Sequence, residues 1–295
     1  MQIKNIKGAI IVNPYGRQNL SLAQAKRLQE EFSKYSITVP IITALDSEYS
    51  LGKNGVVFKT NNLDFAVYLD KDKYFSKALT DLGVRLFNKH EGIRECDDKG
   101  ITYLKLAKNG YKIPKTILAP LCYLENQEIT EKDAKVITNQ LSFPIIVKES
   151  YGSLGQGVYK ANNKSELLSL MNALKLKPHL YQEYIGNKVG EDVRVILVGG
   201  KVVASMRRKN PTDFRSNLYQ GGTSEKITLD KKWVEIAQNV SKLFDLDYCG
   251  IDFLDDGTDT PVICEVNSNA FFEGIEKTTG VNVAKAYVEH ILNNL

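Results

Sequence analysis

Long apolar runs, paired cysteines and long basic runs are all missing from this 295-residue chain, and each absence removes a class of function. No stretch approaches the roughly 20 apolar residues that span a membrane as a helix. The opening MQIKNIKGAIIVNP carries a short apolar run, but no long apolar core or cleavage site follows it. It reads as a first strand rather than a secretion signal, and a cytoplasmic protein is expected. The four cysteines, Cys96, Cys122, Cys249 and Cys264, fall singly, with no CxxC pair and no metal-like histidine spacing. Three of them have apolar neighbours, so buried reduced thiols are expected rather than disulfides. The positive excess is only +4, and no run holds five or more basic residues. That argues against nucleic acid and membrane partners. The three histidines, His90, His179 and His290, suggest no catalytic role, and neither GxSxG nor a Cys-His signature is present. Covalent catalysis therefore has little support.

What is present is an ordinary globular composition, 43% hydrophobic and 25% charged, long enough for one large or two to three small domains. GAIIVN (8–13) reads as a strand, and Leu22, Ala25, Leu28, Phe32 and Tyr35 then recur at helical spacing. ITVPII (37–42) and FAVYLD (65–70) are further strands, followed by a helix over 74–82 that Gly83 ends. Strands alternating with helices predict a small α/β domain with a mostly parallel sheet. After residue 97 the pattern changes. Helices are expected over 98–108, 131–141 and 164–175, interleaved with the strands IPKTILAP, FPIIVKES, GVYKA and HLYQEYI. Long strands follow, VRVILVGGKVVASMRRK, YCGIDFL and PVICEVN, with a helix among them and an amphipathic helix last. Turns at Gly199-Gly200 and near Asp256-Gly257 predict antiparallel pairing and an α+β second part.

Three clusters look chemical. In GIDFLDDGTDTPVICEVN, two strands joined by a turn carry Asp252 on one and Glu265 with Asn267 on the other. Glu265 and Asn267 are two apart and share a strand face. Two carboxylates and an amide oxygen suit a hard cation such as magnesium; a pair of solvated strand faces fits the same pattern. In IIVKESYGSLGQGVYK, Lys148 ends an apolar strand, and Gly152, Gly155 and Gly157 lie within six residues. Such a loop can bring backbone N–H groups to phosphate oxygens, although a plain hairpin fits as well. In RRKNPTDFRSNLYQGG, Arg207, Arg208, Lys209 and Arg215 gather four cations in nine residues. Arginine forks suit carboxylates and phosphoryl oxygens, and an exposed charged loop is the plainer alternative.

Taken in order, these clusters resemble the ATP-grasp superfamily and, within it, the RimK-like amino-acid ligases. The similarity is strongest in RRKNPTDFRSNLYQGG, CGIDFL and CEVNSNAFFEGIEKTTGVNVA, covers most of 97–295, and extends more loosely to DLGVRLFNKHEGIRECDDK. The resemblance implies an amino-terminal α/β domain over 1–96, a central subdomain with a glycine-rich lid over 97–185, and a carboxy-terminal subdomain with the metal site over 186–295. It implies that Lys99 and Lys148 bind phosphate and that Gly152, Ser153, Gly155 and Gly157 belong to the lid. Glu183, Tyr184 and Ile185 would lie against adenine, with Glu191 or Asp192 near the ribose. Asp252, Glu265 and Asn267 would hold Mg2+, with Mn2+ as an alternative. Many relatives carry Ser-Pro-Gly where this chain has Ser268-Asn269-Ala270-Phe271-Phe272. That loop borders the acceptor site in the family, so acceptor choice is open.

The activity implied is ATP-dependent ligation of a carboxylate to an amine through an acyl phosphate. Arg215 and Asn217 are the candidates for contacting the reacting groups. The partners implied are ATP, an amino acid such as glutamate, and a peptide or protein acceptor. A small-metabolite carboxylate or an amino-group carrier protein is the alternative acceptor, and a non-catalytic nucleotide-binding module is the rival of another class. Relatives often form dimers or tetramers, so homo-oligomerisation stays open.

Overall fold

The computed structural model describes residues 6–15, 18–53, 55–58, 63–216 and 221–295. It opens with β1 (Gly8–Ile11), entirely buried, and α1 (Gln18–Ser33). β2 (Ile41–Ile42) is much shorter than the 37–42 strand that the sequence suggests. Pro40 lacks an N–H, and its carbonyl accepts from Ile10 N at 2.9 Å just before pairing begins. A small exposed hairpin, β3 (Ser50–Gly52) and β4 (Gly55–Val57), precedes β5 (Phe65–Tyr68). α2 (Lys73–Asp81) is capped by the Asp72 carboxylate, which accepts from Tyr74 N and Phe75 N. It gives way at Gly83 (φ +83°) to β6 (Arg85–Phe87).

These strands form a parallel sheet of order β2-β1-β5-β6. From β1 the chain moves first to one side and then to the other, so the order reverses between β1 and β5. Such a reversal leaves a crevice beyond the carboxyl ends of the two strands. Asn13 and Asp70 stand there.

α3 (His90–Asp97) leads into α4 (Lys99–Lys108), whose first turn is capped by the Asp98 side chain. The central sheet has the order β7-β10-β8-β9 and is antiparallel: β7 (Thr116–Leu118), β8 (Ile145–Glu149), β9 (Val158–Ala161) and β10 (His179–Glu183). α5 (Glu131–Thr138) and α6 (Lys164–Leu174) bury Ala134, Ile137, Leu167 and Met171 against it.

The third sheet is also antiparallel, of order β13-β12-β11-β14-β15. It comprises β11 (Glu191–Val198), β12 (Lys201–Lys209), β13 (Thr223–Lys226), β14 (Tyr248–Leu254) and β15 (Val262–Asn267). The hairpin between β11 and β12 turns at Gly199 and Gly200, both at positive φ, as the sequence implied. Alternation divides the sheet faces. Val193, Val195, Leu197, Cys249, Ile251 and Phe253 pack with α4 and with α7 (Lys231–Leu243). The opposite face supplies Ile196, Val198 and Tyr248 to a core shared with α1, β1, β5 and two closing helices, α8 (Glu273–Thr279) and α9 (Val283–Asn293). On that same face Arg194 stands in register with Asp252.

Candidate active site

A cleft opens between the central and third sheets, and the strand ends that border it carry its polar groups. β8 is apolar through Ile145, Ile146 and Val147, so the stem of Lys148 is buried and its ammonium emerges at the cleft. Its Nζ lies 3.3 Å from Tyr103 Oη and 3.8 Å from Cys264 Sγ. Burial works against this charge, but Cys264, Tyr103 and Glu265 outweigh it and hold Lys148 above the ordinary lysine range. Burial also pushes the Cys264 thiol and the Tyr103 hydroxyl up from their ordinary ranges.

Lys99 enters from the first turn of α4. It donates to Gly152 O at 2.9 Å and stands 3.3 Å from Glu265 Oε1. It therefore ties the glycine-rich loop to the third sheet. Gly155 in that loop has φ +76°, a conformation costly for any residue with a Cβ. Ser153 lines the cleft beside it.

At the other end Glu183, Tyr184 and Ile185 line the wall. Lys115 N donates to Glu183 Oε1 at 2.7 Å, and Lys160 stands over the rings of Tyr184 and Phe214 at 5.8 and 5.5 Å. Glu191 and Asp192 also border the cleft, but both are already paired. Lys209 lies 2.6 Å from Glu191, and Arg208 grips Asp192 with two hydrogen bonds. Arg215 reaches the cleft from the segment after β12. It forks onto Asp213, at 3.0 and 2.7 Å, and donates to Gly155 O at 3.1 Å. Asn217 lies outside the described residues.

Asp252, Glu265 and Asn267 do converge. Asp252 pairs in register with Glu265, and Asn267 Nδ2 donates to Glu265 Oε2 at 3.2 Å. A bulge follows in β15, where the ladder resumes at Phe253 opposite Ile263 and leaves Cys264 as the extra residue. Its carbonyl accepts from Tyr103 Oη, which fixes the strand beside Lys148.

Sequence reasoning missed Arg194. Its guanidinium holds Asp252 bidentately, at 2.7 and 2.6 Å, and Arg208 adds a third contact at 3.0 Å. Burial opposes the charge of Asp252, but the two arginines overcome it and hold the carboxyl well below its usual range. Glu265 is also lowered; Lys99 outweighs the burial and the like charge of Asp252 that oppose it. No three His, Cys, Asp or Glu among the described residues are grouped to hold a metal by themselves. Two carboxylates and an amide are nevertheless a donor set that suits octahedral magnesium, which completes its shell with water and phosphate oxygens. The residues fit the ion.

A second cavity adjoins this end. Ser153 and Glu265 line both, and the second runs on past Asn267 and Asn269 to Asn13 and Asp70 of the first sheet. The 268–272 loop forms one wall. Asn269 Nδ2 donates to Leu69 O at 2.6 Å, and Tyr248 Oη to Ala270 O at 2.6 Å. The histidines stand away from both cavities, in structural bonds such as His179 Nε2 to Tyr181 Oη at 2.7 Å.

Comparison with known proteins places the chain in a family and a fold. Residues 96–291 match the family model of the RimK-like ATP-grasp domain. A probable alpha-L-glutamate ligase of Maridesulfovibrio salexigens is 34% identical over 216 residues, 72% of this chain and 69% of that protein. An uncharacterized protein of Mycoplasma genitalium is 30% identical over 264 residues, 88% of this chain and 91% of that one. Among solved structures, D-alanine–D-alanine ligase from Bacillus anthracis complexed with ATP superposes with a TM-score of 0.74 at 16% identity, covering 98% of this chain and 97% of that one.

Proposed function

This chain belongs to the RimK-like ATP-grasp family, an ATP-dependent, ADP-forming class of acid–amino-acid ligases, and from that premise we propose that it adds glutamate or another amino acid to a peptide or protein. The observation that carries the reading is the meeting, in one cleft, of two buried lysines, a glycine-rich loop, Asp252 and Glu265, with Asn267 bonded to Glu265 at its edge. No histidine, serine or cysteine is arranged as an activated nucleophile among the described residues of the cleft. The chemistry is then positioning and charge stabilisation of a phosphoryl group in transfer.

Lys99 and Lys148 face the phosphates of ATP, while Glu183, Tyr184 and Ile185 hold the adenine and Glu191 the ribose. Asp192 serves Arg208 rather than the nucleotide. Gly152, Ser153, Gly155 and Gly157 close over the phosphates and exclude water from the acyl phosphate formed when a substrate carboxylate takes the γ-phosphoryl group. An amine then attacks the acyl carbon and phosphate departs. Arg215, beside the loop, steadies the oxygens that gain charge, and Asn217 assists it. Asp252, Glu265 and Asn267 hold magnesium, or manganese in its place; the ion supplies charge neutralisation along the polyphosphate.

The test is release of ADP, rather than AMP, from ATP and Mg2+ with L-glutamate and a cell extract, followed by mass spectrometry of whatever gains mass. ADP formed only when an acid and an amine are both present supports the reading. Nucleotide binding without product under all such pairs would overturn it, and mass gained by a small metabolite alone would replace the peptide acceptor.

A further inference from the structure

The two lysines of the nucleotide cleft are held in different ways. Lys99 already shares its charge, with Gly152 O at 2.9 Å and Glu265 Oε1 at 3.3 Å. Lys148, only 8% exposed, has no carboxylate within ion-pair distance among the described residues. Its Nζ meets a hydroxyl and a thiol instead, Tyr103 Oη at 3.3 Å and Cys264 Sγ at 3.8 Å. An ammonium carries three N–H donors. Two such contacts leave one donor, and a charge that no ion pair cancels, for a ligand.

Tyr103 governs where that donor points. It stands on α4 and belongs to the apolar core that includes Leu106, Leu180 and Val193. Its one hydroxyl proton goes to Cys264 O, the carbonyl at the bulge of β15. Gln182 Oε1 lies farther off, at 3.4 Å, and Gln182 Nε2 is turned to Thr116 Oγ1 at 2.8 Å. With the proton directed to Cys264, the lone pairs of the oxygen are left for Lys148. A hydroxyl that donates to a carbonyl is polarised into a better acceptor. Tyr103 can therefore hold the ammonium without cancelling its charge. Glu265 would cancel it: this carboxylate follows Cys264 on β15 and attracts Lys148 through space.

We propose that Tyr103 is the positioning residue of Lys148: its hydroxyl oxygen, turned by the bond to Cys264 O, aims the ammonium at the nucleotide phosphates and keeps it off Glu265. The assignment rests on the ligase reading above, through the phosphate role given there to Lys148. Tyr103 itself is not among the residues that line the cleft. A buried helix residue thereby becomes a determinant of ATP affinity.

The test is a double-mutant cycle on the full chain, read by calorimetry with Mg2+ and a non-hydrolysable ATP analogue well below the melting temperature. Lys148→Met should weaken the analogue about 10- to 100-fold, the loss of a charged donor. Tyr103→Phe should weaken it about tenfold when Lys148 is present. In the Lys148→Met background the same change should cost less than about twofold, because the missing oxygen acts through the ammonium. Tyr103→Phe also strips Cys264 O of its donor and should lower Tm in both backgrounds. Tyr103→para-aminophenylalanine separates the two effects. Its amine still donates to Cys264 O, but its lone pair is drawn into the ring and accepts poorly. That variant should recover most of the lost Tm and keep the weakened affinity, and it carries the test if Tyr103→Phe does not fold. Unchanged affinity in Tyr103→Phe, or an equal loss in both backgrounds, overturns the proposal. So does affinity that returns together with Tm in the para-amino variant. Unchanged affinity in Lys148→Met would sink the phosphate role of Lys148 and the proposal with it. Coupling between the two residues without ADP release from any acid–amine pair would sink the ligase reading alone and leave Tyr103 standing.

Discussion

At the scale of single residues, the two carboxylates of the third sheet carry different loads. Glu265 faces the lysine ends, whereas Asp252 also neutralises Arg194 and Arg208 inside the protein. Replacing one partner of a buried pair costs ~3–5 kcal/mol, because the other charge is left unanswered. Glu265→Gln should therefore abolish most ADP release with a smaller loss of Tm, because its carboxylate is 28% exposed, while Asp252→Asn, at 6%, should lose activity and more stability together. Thermal melts beside the ADP assay separate the two; equal melting losses would remove the distinction. Arg215 offers a second residue-scale expectation. Its fork is held by Asp213 and its third nitrogen reaches the loop carbonyl of Gly155, a geometry that a lysine point charge cannot copy. On the proposed role, Arg215→Lys and Arg215→Ala should each lower kcat about 100-fold, as loss of a transition-state donor does. The dissociation constant for ATP, measured without the second substrate, should stay close to that of wild type. A defect confined to ATP binding would contradict the role.

At the scale of elements, the proposed closure assigns movement to the glycine-rich loop rather than to the strands around it. Lys99, from the first turn of α4, and Arg215, from the segment after β12, grip its carbonyls at Gly152 and Gly155. Gly155→Val places a branched side chain at φ +76° and should raise the KM for ATP about tenfold or more, with Glu265 and its neighbours untouched. Unchanged nucleotide kinetics would make the loop a simple turn. The elements also explain what the sequence disclosed. Lys148 was legible because three apolar residues precede it on a strand, and Glu265 with Asn267 because a two-residue spacing fixes a shared face. Arg194 was not, since in VRVILV it looks like one polar position in an apolar run. Its meaning comes from the register that lays β11 beside β14 and puts Asp252 opposite, 58 residues away. The pairing of Asp70 with Asn13 was hidden for a similar reason: Asp70 closes the strand FAVYLD, and only the order β2-β1-β5-β6 sets it beside Asn13.

At the scale of the whole molecule, α1 and α9 are joined by a charged clasp as well as by apolar packing. Glu31, 1% exposed, takes Arg27 at 2.5 Å, Lys34 at 2.8 Å and Asn282 at 2.9 Å. Burial opposes its ionisation, but Lys34, Asn282 and Arg27 overcome that and bring Glu31 down from 4.5 to about 2. A lowered carboxyl stabilises the fold at pH values above its unfolded pKa, and that stability drains away as pH falls through the folded value. Melting temperature should accordingly hold at neutral pH and decline from about pH 4.5 towards pH 2. Glu31→Gln should melt earlier at pH 7, by an amount equivalent to ~1–3 kcal/mol, and converge with wild type near pH 2. Parallel curves across the range would rule Glu31 out as the origin.

The core shared by β1, α1, the third sheet and α9 has a bearing on how the chain comes into being. Residues such as Phe32 and Phe65 emerge early in synthesis, yet the side chains they pack with, Tyr287 and Ile291, are among the last described residues. During translation the amino-terminal sheet must wait with one apolar face uncovered until α9 leaves the ribosome, whereas the central sheet, whose core is built from residues 117–181, can close on its own timetable.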